Sequence, residues 1–268
     1  MSNPLEVISG IERKRILELL SQGKRLDGRG LMDYREIKVE RGIVEKAAGS
    51  TMVSIGGTRV IAGVKVEVGE PYPDRPEAGA LTVSAELTPL ASPTFEPGPP
   101  DEYSIELARV VDRGIRESKA IDLERLCLIP GKKVLVVFID VWVLDHCGNL
   151  FDASELASVM ALMGSKTAKY VVGPDGEVKA KDEYVPLPIK NYPVSVTMAR
   201  IDDKFIVDPS LDEEMVADSR ITVTIDKDDK VCAVQKGGTG AIPTDDVIKA
   251  VDIAIEKSRE LRRDILGI

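Results

Sequence analysis

Three arginines recur at helical spacing in a chain that is otherwise acidic. Arg109, Arg113 and Arg116 lie within the segment 102–118, EYSIELARVVDRGIRES. Because successive residues of an α-helix are rotated by about 100°, the three side chains fall on one stripe. The opposite side of the same helix carries the apolar or small residues Leu107, Val110, Val111, Gly114 and Ile115. Guanidinium groups are planar and permanently charged, which suits them to phosphate oxygens. The segment therefore predicts a helix that is buried on one side and presents a row of candidate phosphate ligands on the other.

The same stripe has a second interpretation as a solvated helix face with internal ion pairs. Asp112 precedes Arg116 by four residues, while Glu106 and Asp112 each lie three residues from Arg109. Such pairs stabilise a helix by about 0.2–0.5 kcal/mol each. Spacing alone favours this second interpretation, because most charged helix faces have no further role.

The composition restricts the classes of partner. The 268 residues include 36 Lys and Arg against 45 Asp and Glu, for a net charge of −9. This charge argues against wrapping nucleic acid over the whole surface and against binding an anionic membrane, but it leaves room for a local cationic site. Hydrophobic residues make up 43% of the chain and aromatic residues 4%, so aliphatic side chains must fill the core. The length fits one large domain or two smaller ones.

The cysteines and the apolar segments indicate the cellular compartment in which the protein works. The chain has three widely spaced cysteines and one histidine, which indicates neither a disulfide framework nor a zinc site. The apolar run 134–144 is too short to span a bilayer. Glutamates at 6, 12 and 18 interrupt any signal-peptide pattern. We therefore expect a protein of a reducing, cytoplasmic setting without a membrane partner.

The order of predicted elements indicates an α+β fold with two lobes rather than a doubly wound sheet. Residues 5–21 have helical apolar spacing, 34–87 read as short strands with a hairpin turn at Gly56-Gly57, and the proline-rich segment 89–100 reads as a loop. The nearly continuous apolar run 133–144 predicts a strand buried on both faces, followed by a helix over about 152–170 and a turn at 173–176. Prolines at 186, 188 and 193 mark the lobe boundary. Four further strands follow, and then a closing helix capped by Thr244 with an apolar face at Val247, Ile248, Val251, Ile255, Leu261 and Ile265.

Other residues that could do chemistry have more ordinary interpretations. His146 could act as a base, but a turn residue with a local hydrogen bond is the favoured interpretation. The segment Gly237-Gly238-Thr239-Gly240 could hold an anion at the following helix, but Asp245 and Asp246 already use that helix terminus, and a plain connection is favoured. The third candidate is a set of carboxylates that could bind Mg²⁺, although a solvated loop with a helix starting at Asp212 is favoured. These carboxylates are Asp208, Asp212, Glu213, Glu214 and Asp218.

Several segments coincide with one family. Residues 25–29, Arg-Leu-Asp-Gly-Arg, resemble the R-x-D-G-R motif of the ribonuclease PH family, which also includes the ring subunits of exosomes. The segments FEPGPPDEYSIELARVVDRGIRES (95–118) and FIVDPSLDEE (205–214) are similar to those of the non-catalytic ring subunit of the archaeal exosome. The similarity covers about residues 5–265. It implies an α+β fold of two lobes, the first like domain 2 of ribosomal protein S5 and the second a smaller C-terminal sheet with a helix. The implied divisions are an N-terminal helix at 1–22, a first lobe at 23–190 and a second lobe at 191–268.

The chain departs from the active members of this family at one place. Active relatives follow the buried strand with a glycine-glycine-threonine-arginine turn, which holds inorganic phosphate at a helix N-terminus. Here residues 146–152 read HCGNLFD, so no arginine is present and Asp152 would stabilise the helix start while repelling phosphate. A phosphorolytic enzyme needs bound phosphate as its nucleophile. The departure therefore predicts a chain with no catalytic residue. We also expect no cofactor and no metal.

The resemblance implies a role for the chain in a larger assembly. It implies pairing with a catalytic ribonuclease PH-type subunit, three pairs forming a hexameric ring, RNA-binding cap subunits on that ring, and RNA degradation from the 3′ end with phosphate. It also implies that Arg109, Arg113 and Arg116 contact phosphates of single-stranded RNA. The alternatives are an autonomous phosphorolytic exoribonuclease, disfavoured by the missing arginine turn, and a small-molecule kinase, disfavoured because a glycine- and serine-rich ATP loop is not found.

Overall fold

The structure is a computed structural model that describes residues 10–174 and 176–268. Its α-helices in these ranges are α1 (Gly10–Ser21), α2 (Glu102–Glu117), α3 (Leu150–Gly164), α4 (Leu211–Val216) and α5 (Thr244–Leu261). Its strands are β1 (Ile37–Arg41), β2 (Gly49–Ile55), β3 (Thr58–Gly69), β4 (Ala80–Leu87), β5 (Cys127–Ile129), β6 (Lys133–Asp145), β7 (Lys166–Val172), β8 (Val178–Pro186), β9 (Val194–Ile201), β10 (Lys204–Val207), β11 (Ser219–Ile225) and β12 (Val231–Gly237). Within the same ranges no helix is both long and apolar enough to cross a membrane.

Two sheets lie on either side of α3. The first sheet has the order β1-β2-β3-β6-β4, with β5 also paired to β6, and only β4 runs parallel to its neighbour. The second sheet has the antiparallel order β10-β9-β11-β12 and packs against α5. Every residue of α3 from Leu150 to Leu162 is buried, since the helix contacts β2 and β3 of one sheet and β9 of the other. One continuous core therefore joins the two lobes, and the division at residue 190 stays a prediction.

The arginine helix sits at the open edge of the first sheet. Strand β4 is the last strand of that sheet, and α2 packs against β4, against α3 and against β12. Asp101 caps the helix by accepting a hydrogen bond from the Ser104 amide at 2.8 Å. The predicted apolar side of α2 is confirmed as its buried side. The fold thereby turns the opposite face of the helix, with its arginines, outward.

Several local predictions are confirmed. The loop 89–100 contains no helix or strand, and the four strands β9 to β12 form the second sheet. Gly56 adopts φ +56° in the turn between β2 and β3, where any larger residue would be strained. Gly237 to Gly240 form a connection in which the Gly240 amide donates to the Asp218 carbonyl at 2.8 Å.

The prediction for strand β6 is wrong about its second face. Its residues alternate between buried and partly exposed positions, and Trp142 is 47% exposed. Helix α3 covers one face of β6. The positions on the other face also carry apolar residues such as Phe138, which is why the apolar run is continuous.

The helix predicted over 152–170 ends at Gly164, and the chain continues as the hairpin of β7 and β8. The predicted turn of this hairpin includes Asp175, which lies outside the described residues, as do residues 5–9 of the predicted first helix.

The closing helix also differs from its prediction. Thr244 is its first residue rather than its cap, since Pro243 occupies the capping position without a side-chain hydrogen bond. Ile248 is 58% exposed. The rest of the predicted apolar face is confirmed, since Leu261 is buried and Val247, Val251, Ile255 and Ile265 pack against the core. The other buried positions of α5 are the small residues Ala250, Ala254 and Ser258, which let it approach β9 and β11 closely.

Candidate functional site

Arg109 and Arg113 extend from α2 into solvent. Both are exposed, and neither has a hydrogen bond or an ion pair with any described residue of the chain. Arg116 differs, because its Nε and Nη2 donate to the two carboxylate oxygens of Asp112 at 2.9 and 2.6 Å, and Nη2 also donates to the Leu81 carbonyl at 2.9 Å. The predicted stripe thus contains two unpaired guanidiniums and one that is engaged within the chain.

The three ion pairs predicted within α2 have different outcomes. The pair of Asp112 and Arg116 forms. Glu106 does not pair with Arg109, and accepts instead from Arg220 Nη2 of β11 at 2.6 Å. Asp112 likewise has its side-chain oxygens on Arg116 and not on Arg109. The interpretation as a helix face neutralised by its own pairs therefore holds for Arg116 only.

These arginines line an open cleft of about 830 Å³. Strand β4 contributes Thr82 and Val83 to its lining, β12 contributes Gln235, and Tyr72 also lines the cleft with half of its surface exposed. Clefts of this size accommodate small ligands or short polymer segments. A cleft lined by an aromatic ring and by unpaired guanidiniums suits single-stranded nucleic acid, since bases stack on rings and phosphates bind cations.

The start of α3 is the place where active relatives are expected to hold phosphate. Asn149 adopts the left-handed conformation there, with φ 54°, and its backbone amide donates to Glu214 Oε1 at 2.8 Å. Burial raises the pKa of Glu214 to about 7, against opposing contributions from the Asn149 amide, Arg220 and Arg35. A carboxylate of the chain itself thus occupies an amide that could otherwise bind an anion.

Asp152 adds a second carboxylate at the same helix start. One of its oxygens, Oδ2, accepts hydrogen bonds from the Tyr34 hydroxyl at 2.7 Å, the Asn149 amide group at 2.9 Å and the Thr197 backbone amide at 3.0 Å. Burial raises the pKa of Asp152 to about 6, although these hydrogen bonds favour the charged form. The turn is therefore built to hold carboxylates and carries no arginine.

Asp208 lies at the centre of a network of arginines. Arg35 donates from Nη2 to Oδ1 at 2.7 Å and from Nε to Oδ2 at 2.8 Å, and Arg29 donates to Oδ2 at 2.9 Å. Burial alone would raise the pKa of Asp208, but the hydrogen bonds and charge of Arg35 outweigh it and hold that pKa below its usual value. Arg29 of the R-x-D-G-R motif therefore contacts Asp208, which directly follows β10 of the second sheet.

Arg25 of the same motif is fully engaged with the second lobe. Its Nε donates to Glu213 Oε1 at 2.8 Å, its Nη2 donates to Glu213 Oε2, and its Nη1 donates to the Val207 carbonyl at 2.7 Å. Ser210 and Glu213 form a capping box at the start of α4. The favoured interpretation of these carboxylates as a solvated loop is wrong for Asp208 and Glu213, which are 0% and 2% exposed. The magnesium alternative also fails at both residues, because arginines occupy all four of their carboxylate oxygens.

His146 makes the local contacts of a turn residue. Its ring stacks on Phe95 with the ring centres 5.4 Å apart, and its Nδ1 accepts from the Gly148 amide at 3.4 Å. Burial and the nearby charge of Arg35 lower the pKa of His146 to about 4. No carboxylate hydrogen bonds to this ring among the described residues, so it lacks the orienting partner of a catalytic base.

Sequence reasoning missed Arg220, Arg35, Asn149 and Tyr34 as members of this region. Arg220 is 114 residues from Glu106, and Asn149 is 59 residues from Asp208, so no local spacing connects them. The one available signal was the R-x-D-G-R motif, which predicts the position of Arg25 and Arg29 but not their partners.

Comparison with known proteins agrees with this architecture. The model of the 3′ exoribonuclease family, domain 1, matches residues 33–168, and that of domain 2 matches residues 191–257. A relative described as exosome complex component Rrp42 from Thermococcus gammatolerans is 56% identical over 98% of this chain and 96% of its own length. A chain of the Archaeoglobus fulgidus exosome with RNA bound to the active site superposes with a TM-score of 0.87 at 47% identity, covering 94% of this chain and 97% of that one. A chain of an archaeal exosome core gives a TM-score of 0.85 at 42% identity over 97% and 98% of the two chains. With its two lobes matched in order and its full-length relatives near 50% identity, this chain belongs to the 3′ exoribonuclease family of ribonuclease PH proteins.

Proposed function

We propose that this chain is the non-catalytic, RNA-contacting subunit of an archaeal-type exosome ring. In this role it pairs with a catalytic ribonuclease PH-type subunit, three such pairs form a hexamer that carries RNA-binding cap subunits, and the complex degrades RNA from the 3′ end with phosphate in the cytoplasm. Full-length relatives described as exosome complex components support this assignment. So does the likeness to a chain of an exosome with bound RNA.

The observation that carries the proposal is the division of charge between two helices. At the start of α3, Glu214 accepts from the Asn149 backbone amide, and the Asn149 side-chain oxygen accepts from the Asp152 amide. The buried Asp152 carboxylate lies beside them on the Asn149 side-chain amide, so inorganic phosphate would find these donors occupied and carboxylates nearby. On α2, Arg109 and Arg113 are exposed and unpaired among the described residues and line an open cleft. This arrangement supports contact with an RNA backbone and disfavours activation of a phosphate nucleophile.

Replacing Arg109 and Arg113 with alanine tests the RNA contact. In the complex reconstituted with the catalytic subunit, affinity for single-stranded RNA should fall for every base sequence alike, because phosphate contacts carry no base information. The dependence of log affinity on log salt should flatten by about 0.7 for each lost contact. Arg15→Ala, which removes one exposed arginine from α1, is the matched control. An unaltered salt dependence in an intact double variant would refute the contact.

The competing assignment is an autonomous phosphorolytic exoribonuclease. It predicts that the purified chain alone releases nucleoside diphosphates from RNA in phosphate buffer. We expect none without the catalytic subunit. Phosphate-dependent shortening of RNA by the chain alone, with a preparation free of other nucleases, would favour the competing assignment.

A further inference from the structure

Two acidic residues flank Arg109 at the spacing that forms ion pairs within a helix. Glu106 precedes it by three residues and Asp112 follows it by three. Residues at this spacing lie on the same helix face, and opposite charges there attract each other. Either carboxylate could therefore compete with an RNA phosphate for the guanidinium. Neither does so in the structure.

Each flanking carboxylate is held by a different arginine. Arg220 donates from Nη2 to Glu106 Oε1 at 2.6 Å. Arg116 donates to both oxygens of Asp112, at 2.6 and 2.9 Å. Hydrogen bonds between a guanidinium and a carboxylate are among the stronger polar contacts, and the two-point contact of Arg116 fixes its geometry.

Both of these arginines are fixed by contacts outside α2. The guanidinium carbon of Arg220 lies 3.9 Å from the ring centre of Phe151, and the side chain is only 16% exposed. A Cβ atom at Gly237 would come within 2.6 Å of Arg220 Nη2, so glycine gives this guanidinium the room it uses. Arg116 is tied to β4 through the Leu81 carbonyl. Contacts outside α2 therefore fix the positions in which Arg220 binds Glu106 and Arg116 binds Asp112.

We propose that Arg220 and Arg116 act as positioning residues for the RNA contact. By holding the two flanking carboxylates, they keep Arg109 available to a phosphate group. The inference rests on the proposed function and adds to it a second set of residues that do not touch RNA. It also gives Arg116 a role different from that of its neighbours on the stripe.

The test first replaces Arg220 and then also replaces Glu106, the carboxylate that Arg220 binds. Binding of a labelled single-stranded RNA to the reconstituted complex is measured in phosphate-free buffer, where phosphorolysis cannot proceed. Arg220→Gln should weaken binding roughly two- to fivefold, because an exposed ion pair competes only modestly for Arg109. Adding Glu106→Gln should restore the affinity. Adding Glu102→Gln instead should not, although it removes the same charge from the same helix, because no arginine lies three or four residues from Glu102.

The possible results separate the inference from the proposed function. Unchanged binding by the Arg220→Gln complex, or equal recovery with the Glu102→Gln control, would overturn the inference. If the double alanine variant of Arg109 and Arg113 binds RNA normally, the proposed contact itself is wrong. Should the Arg220→Gln chain fail to assemble, Arg116→Gln with and without Asp112→Asn provides the same test within α2, with the same outcomes required.

Discussion

Replacing Glu214 with glutamine should make the protein more stable at neutral pH and leave its stability unaltered in acid. Burial raises the pKa of this carboxyl from 4.5 to about 7, so the folded protein binds its proton more tightly than the unfolded chain does. Below pH 4.5 the group is protonated in both states and costs nothing. Between pH 4.5 and 7 the unfolded chain loses the proton more readily, and the free energy of unfolding therefore falls as pH rises. Above about pH 7 the cost is constant.

The pKa values set an upper bound on this effect. One pKa unit corresponds to about 1.4 kcal/mol, so the separation between 4.5 and about 7 allows at most about 3.5 kcal/mol. Glutamine keeps the oxygen that accepts the 2.8 Å hydrogen bond from the Asn149 amide. The predicted gain in the free energy of unfolding is therefore near zero at pH 4.5 and largest at pH 8.

Denaturant unfolding at a series of pH values measures this gain directly. Asp212→Asn is the matched control, because it removes an exposed carboxylate from the same short helix. Surface substitutions of this kind change stability by about 0.5 kcal/mol or less. A difference between Glu214→Gln and the wild type that does not vary from pH 4.5 to 8 would refute the assigned pKa, and a loss of stability at pH 8 would refute the burial argument as well.

Two further substitutions test the packing of the site. Arg25→Ala should lower the free energy of unfolding by about 3–5 kcal/mol, because it leaves the buried carboxylate of Glu213 without its partner; thermal and denaturant unfolding measure the loss, and a change below 1 kcal/mol would contradict it. Gly114→Ala should cost about 1–3 kcal/mol, since the new Cβ would lie 2.4 Å from an oxygen of Glu155 between α2 and α3. Its control is Gly164→Ala, where nothing lies within 4 Å of the added carbon, and equal losses at the two positions would count against the packing argument.

Helix α2 and the second sheet could be predicted from sequence because their signals are local. The burial of α2 follows from apolar residues at intervals of three and four, and β9 to β12 follow from short β-rich runs between turn residues. The hairpin of β7 and β8 was missed although a signal existed. Gly164 is the last residue of α3, and the residues after it are rich in β-branched and aromatic side chains, which favour a strand.

The second face of β6 could not be predicted in the same way. A continuous apolar run fits a strand covered on both sides, and it fits equally a strand whose outward positions happen to carry residues such as Trp142. Which case applies depends on whether another element covers that face. In the described part of the chain, the buried helix α3 lies on the inward side.

The site itself depends on contacts between residues far apart in the chain. The R-x-D-G-R motif predicts that Arg25 and Arg29 matter, but their carboxylates lie in the second lobe, 188 and 179 residues away. The charged residues at 208–214 looked solvated because acidic runs usually are. Asp208 and Glu213 can be buried because arginines of the first lobe, Arg25 and Arg29, neutralise their charge. Sequence reasoning therefore located the stripe on α2 and missed the network of arginines that buries Asp208 and Glu213.

The pairing of charges, more than their number, decides where this acidic chain can bind an anion. The chain has 36 basic against 45 acidic residues, so its net charge does not by itself attract an anion. Arg25, Arg29 and Arg35 neutralise carboxylates inside the fold. The start of α3 shows the opposite case. Glu214 accepts a hydrogen bond from the Asn149 amide there, at a helix terminus where active relatives are expected to bind phosphate. Family membership alone would not distinguish these sites, because the fold is shared and function resides in the local chemistry.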